Sequence, residues 1–481
     1  VVLGSQAAQP AISGGGSGYT PPTRVCSLLE GVRALAGPEL EVAYFPAART
    51  PDYDQLAARS EFFTASGQPG LEVSYFSNRQ LSGPPAVQRV EPRLDYRWID
   101  GGTAFPDGVN RDHFAVRWQG VLRPRQSGRH HLFLQAIDGA VRCWLDGRCV
   151  VDATGKTGGL FEVEVEGTQG QDIPLVVEYT QMRGYGWCHL LGGWFHEEEV
   201  RVDYAAALQA AHAADAVVVC AGFTKHTEGE GFDRAFALDS ITEQLIADAV
   251  AANDRTAVVL HAGGGVDMER WGAQAKAILH AWYPGQEGGR AAAEILFGLT
   301  NPSGKLPITI ERRLADRSST VCYYDEDGDG RVALTDGIFG GYRHFDRTGV
   351  APRFAFGHGL SFTTFAYTNL RITPSRARAG QSVRVSLDVR NTGTRPGDEV
   401  VQLYVGDPKS RLPRPVRELK DFARVSLKPG QQKTVRFTLS ARHLRYYDPD
   451  QAGWVVEPGR FDIAVGASSA DIRLRGRFTL T

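Results

Sequence analysis

The sequence predicts a multidomain protein mixing α/β and all-β structure: an α/β sandwich interrupted by a β-sandwich insert and followed by a second β-sandwich. Three observations carry this reading. The chain has 481 residues, and at about 150 residues per domain that length implies roughly three domains. The texture alternates along the chain. Apolar runs separated by helical spacing occupy 1–68 and 201–315, whereas period-two alternation broken by turn dipeptides fills 69–200 and 366–481. Gly 55 and Pro 25 together make about one residue in six, above the usual share of roughly 12%, as many turns and strands require.

The elements follow in order. Val1-Val2-Leu3-Gly4 reads as a buried strand entering a loop with no signal peptide before it, so the chain is expected to begin inside a larger protein. Cys26 to Leu35 come next at helical spacing, then Leu40 to Phe45 as a second strand. The block 69–200 carries Phe114 to Trp118, His131 to Leu134 and Val141 to Leu145 as strands. Asp146-Gly147 is a two-residue hairpin turn that pairs Cys143 with Val150 and Cys149 with Trp144. The two sulfurs then face opposite ways, so no local bridge is expected, and six cysteines in this length make no disulfide scaffold.

From Tyr204 the α/β texture returns: an alanine-rich helix through Ala213, the strand Ala216 to Cys220, a helix capped at Ser240, and the strands Ala257 to His261 and Ala277 to Ala281. Ser240 and Glu243 fit the S-x-x-E capping box ahead of Ile241, Leu245, Ile246 and Val250. An α/β pattern resumed after a β block implies a module inserted in a loop of one α/β domain. Residues 316–365 read as a linker region. Val383 to Val389, Val400 to Val405 and Thr434 to Leu439 then build the last sandwich.

Charge excludes some function classes. Lys+Arg 53 against Asp+Glu 55 gives a net charge of -2, which offers polyanionic nucleic acid no basic field. Apolar runs such as Ala216 to Phe223 stop far short of the ~18 residues of a membrane span, so the sequence predicts a soluble chain with no membrane partner. A homo-oligomer is compatible with this composition, and cysteine usage leaves the compartment open.

The most informative short segment is Thr227-Glu228-Gly229-Glu230-Gly231-Phe232-Asp233-Arg234, placed just after a strand of the α/β domain. Ligands of open α/β sheets bind beyond the carboxyl ends of strands. Two carboxylates within three residues repel, which raises one pKa towards that of a general acid, while Arg234 can hold Asp233 ionised. The plainer reading of the spacing alone is a solvated acidic loop. Gly14-Gly15-Gly16-Ser17 matches no phosphate-loop pattern and reads as a tight turn. His261-Ala262-Gly263-Gly264-Gly265 echoes an esterase oxyanion loop, but no G-x-S-x-G nucleophile elbow accompanies it. Asp325, Asp327, Asp329 and Asp336 take the spacing of calcium-loop ligands around Gly330, although the last ligand is not Glu and no flanking helices are evident; the default is no metal and a solvated loop. Of Trp118, Trp144, Trp187 and Trp194, at most one is expected to touch a ligand, since tryptophans of small β modules are mostly core.

Longer motifs carry a family resemblance. Ala281-Trp282-Tyr283-Pro284-Gly285-Gln286-Glu287-Gly288-Gly289, Asn301-Pro302-Ser303-Gly304-Lys305-Leu306-Pro307, Phe356-Gly357-His358-Gly359-Leu360-Ser361-Phe362 and Asp398-Glu399-Val400-Val401-Gln402-Leu403-Tyr404-Val405 stand in the order of glycoside hydrolase family 3, which the chain resembles over its length. The resemblance implies that 366–481 is a fibronectin type III-like domain. It also implies that 69–200, with Val73-Ser74-Tyr75-Phe76 and Asp138-Gly139, is a protective-antigen-type carbohydrate-binding module.

The same resemblance implies a β-glucosidase-like retaining hydrolase that acts on a carbohydrate substrate without a cofactor. Its acid/base would be Glu230, with Glu228 the second choice, and Asp233 and Arg234 would support the loop. Its nucleophile would be an aspartate on an N-terminal (β/α)8 barrel, which has no counterpart in this sequence ahead of Val1. Retaining hydrolysis needs two facing carboxyl groups about 5–5.5 Å apart. The chain alone is therefore expected to be inactive until a barrel joins it in cis or in trans. The competing expectation is a non-catalytic carbohydrate-binding or interaction protein built from the same modules.

Overall fold

The structure is a computed structural model that describes residues 1–48, 51–98, 104–156, 158–182, 188–225, 227–230, 233–321 and 331–481. Its described residues sort into two units, one built from 1–263 with 268–293 and one mostly from 294–321 with 333–481.

A five-stranded parallel sheet forms one layer of the first unit, in the order Ala277–His280, Thr256–His261, Val217–Gly222, Val2–Leu3, Tyr44–Phe45. Near-continuous apolar runs build it, as expected where both faces are covered. Val219, Val258 and Leu260 have no or almost no exposed surface. The first strand lies beside Val217–Gly222, with Leu3 opposite Val219, so the sheet joins segments that are far apart in sequence. Its helices cap locally. Ser27 and Glu30 form a capping box at the start of the helix Leu28–Ala36. The helix Ser240–Ala252 is capped by Asp239, whose carboxylate accepts from Thr242 N at 2.9 Å. Ser240 is thus the first helical residue and not the cap. Either side chain can fill that role, and Glu243 turns instead to accept from the Trp271 indole at 3.0 Å.

Between the two halves of this sheet, the strands from Leu71 to His196 form two antiparallel sheets. One has six strands, in the order Arg148–Asp152, Gly139–Leu145, Ile173–Gln181, Ala115–Leu122, Leu71–Phe76, Val87–Glu91. The other has four: Gly158–Gly167, Gly128–Ile137, His189–His196, Leu94–Arg97. Trp118, Tyr75, Tyr179, Leu134 and Val177 fill the core between them. The chain enters and leaves this block side by side, since Ala48 pairs with Arg201 and Ala47 with Val202. The helix Tyr53–Arg59 seats it: Tyr53 donates to Glu162 at 2.9 Å, and Ser60 Oγ bonds both the amide and the carbonyl of Trp194.

The Asp146-Gly147 turn has both residues at positive φ, as a two-residue hairpin demands. Cys149 lies opposite Trp144 as expected, but Cys143 lies opposite Val151 and not Val150, because the register shifts between Cys149 and Val151. The five described cysteines are free thiols. Among the described residues, no helix is long and apolar enough to cross a membrane.

In the second unit, two sheets carry the alternation read from the sequence. Val383, Val385, Leu387 and Val389 point into one core with Val401, Leu403, Val405, Phe461 and Ile463. The stretch read as a linker contributes the helix Tyr342–Thr348, whose Asp346 holds Arg417 through two hydrogen bonds of 2.8 and 2.9 Å. Gln402 donates to the carbonyls of Gly357 at 3.1 Å and Ala467 at 2.7 Å and accepts from Tyr404 at 2.6 Å. Asn301 bonds Pro396 O, Ser361 Oγ and Phe362 N. The motifs around 301, 357 and 402 are therefore mutual struts.

Candidate active site

Parallel strands deliver the loops that follow them to one edge of the sheet, and four such loops meet here. After Val217–Gly222 comes the acidic loop, after Thr256–His261 comes Gly263, after Ala277–His280 comes Tyr283, and after Val2–Leu3 comes the glycine segment Gly14–Ser17.

Three of these loops converge on Glu228. Its Oε1 pairs with Arg234 Nε at 3.0 Å, and its Oε2 accepts from Tyr283 OH at 2.6 Å and Gly263 N at 2.9 Å. Arg234 lies over the Phe223 ring, 4.3 Å from its centre. Burial lowers the Arg234 pKa despite the opposing pull of Glu228, and burial together with Glu228 raises that of the Tyr283 phenol. Glu228 has both carboxylate oxygens engaged, by three donors from three loops, which makes it a strut of the loop. The amide resembling an esterase oxyanion donor is the one it takes.

Glu230 has the opposite surroundings. Its side chain is exposed, and its Oε2 accepts from Ser17 N at 2.8 Å. The two loops lock together through their backbones: Gly15 N donates to Glu228 O at 2.9 Å, Glu230 N donates to Gly15 O at 3.4 Å, and Gly15 pairs with Gly229 as an isolated parallel bridge. Glycine is required at this approach. A Cβ on Gly15 would collide with the Lys225 carbonyl, and one on Gly16, held at φ +81°, would collide with Glu230.

The Ser17 hydroxyl and amide hold the Glu230 carboxyl below the usual carboxylate range. For Glu230 this runs against the expectation that repulsion from Glu228 raises its pKa. Glu228 is neutralised by Arg234, so its charge does not press on its neighbour. Arg234 likewise pairs with Glu228, while Asp233 lies half-buried beside it. Gly231 and Phe232 lie outside the described residues.

Behind the loops, His261 is buried with its Nδ1 3.1 Å from Gln6 Oε1, and Gln6 Nε2 donates to Gly222 O at 2.7 Å. Burial, with His280 nearby, pushes the His261 imidazole down to about 4. It is neutral at pH 7 and braces the edge.

Sequence reasoning singled out Glu228, Glu230, Asp233 and Arg234, which share this edge, but missed the parts played by Ser17, Gly263 and Tyr283. Those residues lay in motifs already noticed; their role is a long-range contact that no local pattern encodes. Of the calcium candidates, Asp325, Asp327 and Asp329 fall outside the described residues, as does Gly330, and Asp336 accepts from Ser318 at 3.2 Å. Among the described residues no cluster of metal-ligating side chains occurs. Trp118 is fully buried and donates to Tyr96, Trp194 is half-buried and donates to Glu61 O, Trp144 is half-buried, and Trp187 is not among the described residues.

Fold and site together define a parallel α/β domain that presents one carboxylate at its strand ends, followed by a β-sandwich domain. Residues 1–362 match the family profile described as glycosyl hydrolase family 3 C-terminal domain, and 399–469 match a fibronectin type III-like domain. The chain belongs to glycosyl hydrolase family 3. It is 32% identical over 504 residues to beta-glucosidase B of Emericella nidulans, covering 98% of this chain and 58% of that protein. Among solved structures, a beta-glucosidase from Streptomyces venezuelae in complex with D-glucose matches with a TM-score of 0.70 at 26% identity, covering 100% of this chain and 56% of that one. A beta-glucosidase from Kluyveromyces marxianus in complex with glucose matches with a TM-score of 0.66 at 28% identity, covering 100% and 59%. The chain thus spans about 60% of the length of the curated relatives it matches over its whole length.

Proposed function

We propose that this chain forms the acid/base half of a retaining β-glycosidase of the β-glucosidase type, which removes terminal non-reducing β-linked sugars from short oligosaccharides or glycosides. Glu230 is the acid/base, and the nucleophile is an aspartate on a barrel domain supplied in cis or in trans. The observation that carries this reading is the contrast on one loop. Glu228 is tied by Arg234, Tyr283 and Gly263, whereas Glu230 stands exposed on a glycine-flanked backbone with its carboxylate steadied by Ser17.

In the first step the Glu230 carboxyl gives its proton to the glycosidic oxygen while the nucleophile attacks the anomeric carbon. In the second, the Glu230 carboxylate takes a proton from the water that releases the sugar. The low pKa of Glu230 in this chain suits the second task. The first requires its pKa to rise, and an ionised nucleophile facing it in a pocket closed to water supplies both the repulsion and the desolvation. Once the nucleophile is glycosylated its charge is gone, and the pKa of Glu230 falls again.

In this reading the block 69–200 is a protective-antigen-type module that narrows the substrate pocket. Its paired entry and exit at Ala47–Ala48 and Arg201–Val202 support a placement at the rim of the α/β domain.

A steady-state assay on an aryl β-glucoside tests the two-part claim. The purified 481-residue chain should give no turnover, and addition of a family 3 barrel should restore it. Turnover by the chain alone in the ordinary enzyme range of ~1–10³ per second would overturn the proposal.

A further inference from the structure

The solvent face of the six-stranded sheet is built from residues whose alternation is forced by the core. Cys143, Val177 and Trp118 point inward with no exposed surface, so their neighbours Trp144, Val176 and Gln119 point outward, as do Arg142, Glu178 and Arg117. The register lines these up in two rows across three strands. Trp144 lies opposite Val176, which lies opposite Gln119; Arg142 lies opposite Glu178, which lies opposite Arg117.

Each row has its own chemistry. In the charged row Glu178, 5% exposed, accepts from Arg117 Nε at 2.8 Å and from Arg142 Nη2 at 2.5 Å. A guanidinium has five N–H donors, so both arginines keep donors beyond those given to Glu178. Arg142 also lies opposite Asp152 on the neighbouring strand, and exposed Glu72 lies opposite Gln119 on the other side, so two cations meet three carboxylates and the face carries a slight negative excess. In the other row Trp144 has the Arg142 guanidinium 5.2 Å from its ring centre, Val176 adds an apolar floor, and Gln119 is exposed. Over the Trp144 row, with Gly147 and Pro174 at one end and Arg117 and Glu178 at the other, lies a hollow of about 340 Å³, at the small end of ligand-sized sites of roughly 300–1,000 Å³.

We propose that this face is a sugar-binding site, separate from the edge that carries Glu230, and that it holds a neutral oligosaccharide with a pyranose ring on Trp144 and Val176. The chemistry selects that class. An aromatic and an aliphatic side chain offer a flat apolar floor for the C–H face of a sugar ring. Guanidinium donors and the Gln119 amide, which both donates and accepts, stand at its side for hydroxyl groups. Three carboxylates against two cations give a polyanion no net attraction. The rigid setting of three adjacent paired strands fixes these groups before a ligand arrives. The inference does not depend on hydrolysis, because it concerns binding to the chain as it stands.

Isothermal titration of the 481-residue chain with cellotetraose and laminaritetraose tests it. At least one should bind, and Trp144→Ala should weaken that binding by roughly tenfold or more, the loss of about 1.4 kcal/mol. Gln119→Ala, at an exposed position that packing does not need, should weaken it less. Trp454→Ala removes a tryptophan that is 61% exposed in the second unit and should change nothing. Absence of binding by the unsubstituted chain overturns the proposal. So does binding that survives both Trp144→Ala and Gln119→Ala, and so does binding lost in Glu230→Ala but kept in Trp144→Ala, which assigns it to the catalytic edge.

Discussion

The acidic loop and the strut cluster of the second unit use similar side chains to opposite ends. Around Asn301, Gly357 and Gln402 the polar groups close on one another: Gln402 is 3% exposed and makes three hydrogen bonds, and Glu399, 4% exposed, faces Lys305 at 3.2 Å. On the acidic loop, Glu228 is satisfied in the same manner, yet two residues on Glu230 is left at the surface. The difference teaches where chemistry resides. A motif whose donors and acceptors all find partners stabilises a fold, and the group with spare capacity at a strand-end edge is the one able to act on something else.

The comparison can be broken in the second unit first. Gln402→Ala leaves two buried carbonyls and the Tyr404 hydroxyl without their partner. At ~1–3 kcal/mol for each unsatisfied group, partly relieved by relaxation, the expected loss is about 3 kcal/mol. Denaturant unfolding of that unit should record it, and in a barrel-complete enzyme the loss should fall on stability without any dependence on the leaving group.

Glu228→Ala is the next largest. It takes the shared carboxylate away from Arg234, the Tyr283 hydroxyl and the Gly263 amide. The pair keeps some exposure, so the cost should be about 2 kcal/mol, below the ~3–5 kcal/mol of a fully buried broken pair. Activity should drop equally for good and poor leaving groups, because the whole loop loosens. A loss confined to poor leaving groups would make Glu228 the acid.

The smallest effect sharpens the assignment most finely. Ser17→Ala removes the hydroxyl that helps hold the Glu230 pKa down but keeps the amide. The pKa of Glu230 should therefore rise. Since protonated Glu230 is the form that donates to the leaving group, the alkaline limb of kcat/KM in the barrel-complete enzyme should move to higher pH. A limb that stays fixed or moves to lower pH contradicts the assignment.

Much of the architecture was legible beforehand. The parallel strands announced themselves as apolar runs from Val1, Ala216, Ala257 and Ala277, and the sandwich strands as alternation from Val383 and Thr434. The errors were local and have local causes. Asp239 and Ser240 are both good caps, so the S-x-x-E pattern placed the helix start one residue late. One bulge after Cys149 shifted the partner of Cys143 by a residue. The site was legible in composition but not in roles. Spacing could not separate Glu228 from Glu230, because what separates them is the set of residues folded against each, and Tyr283, Gly263 and Ser17 are 55, 35 and 213 positions from their carboxylate partners. A backbone amide that steadies a distant carboxylate leaves no mark in the sequence.

The most direct test of the central claim compares Glu230→Ala with Glu228→Ala in a barrel-complete enzyme on cellobiose and on an activated nitrophenyl glucoside, with and without azide. General acid catalysis supplies ~10²–10⁴ in rate, and a nitrophenolate departs with little protonation. Glu230→Ala should therefore slow cellobiose hydrolysis within that range and the activated glucoside far less. Azide should restore the second step by replacing base-activated water. Leaving-group dependence and azide rescue in Glu228→Ala, with Glu230→Ala near the unsubstituted enzyme, would contradict the account and move the acid/base two residues upstream.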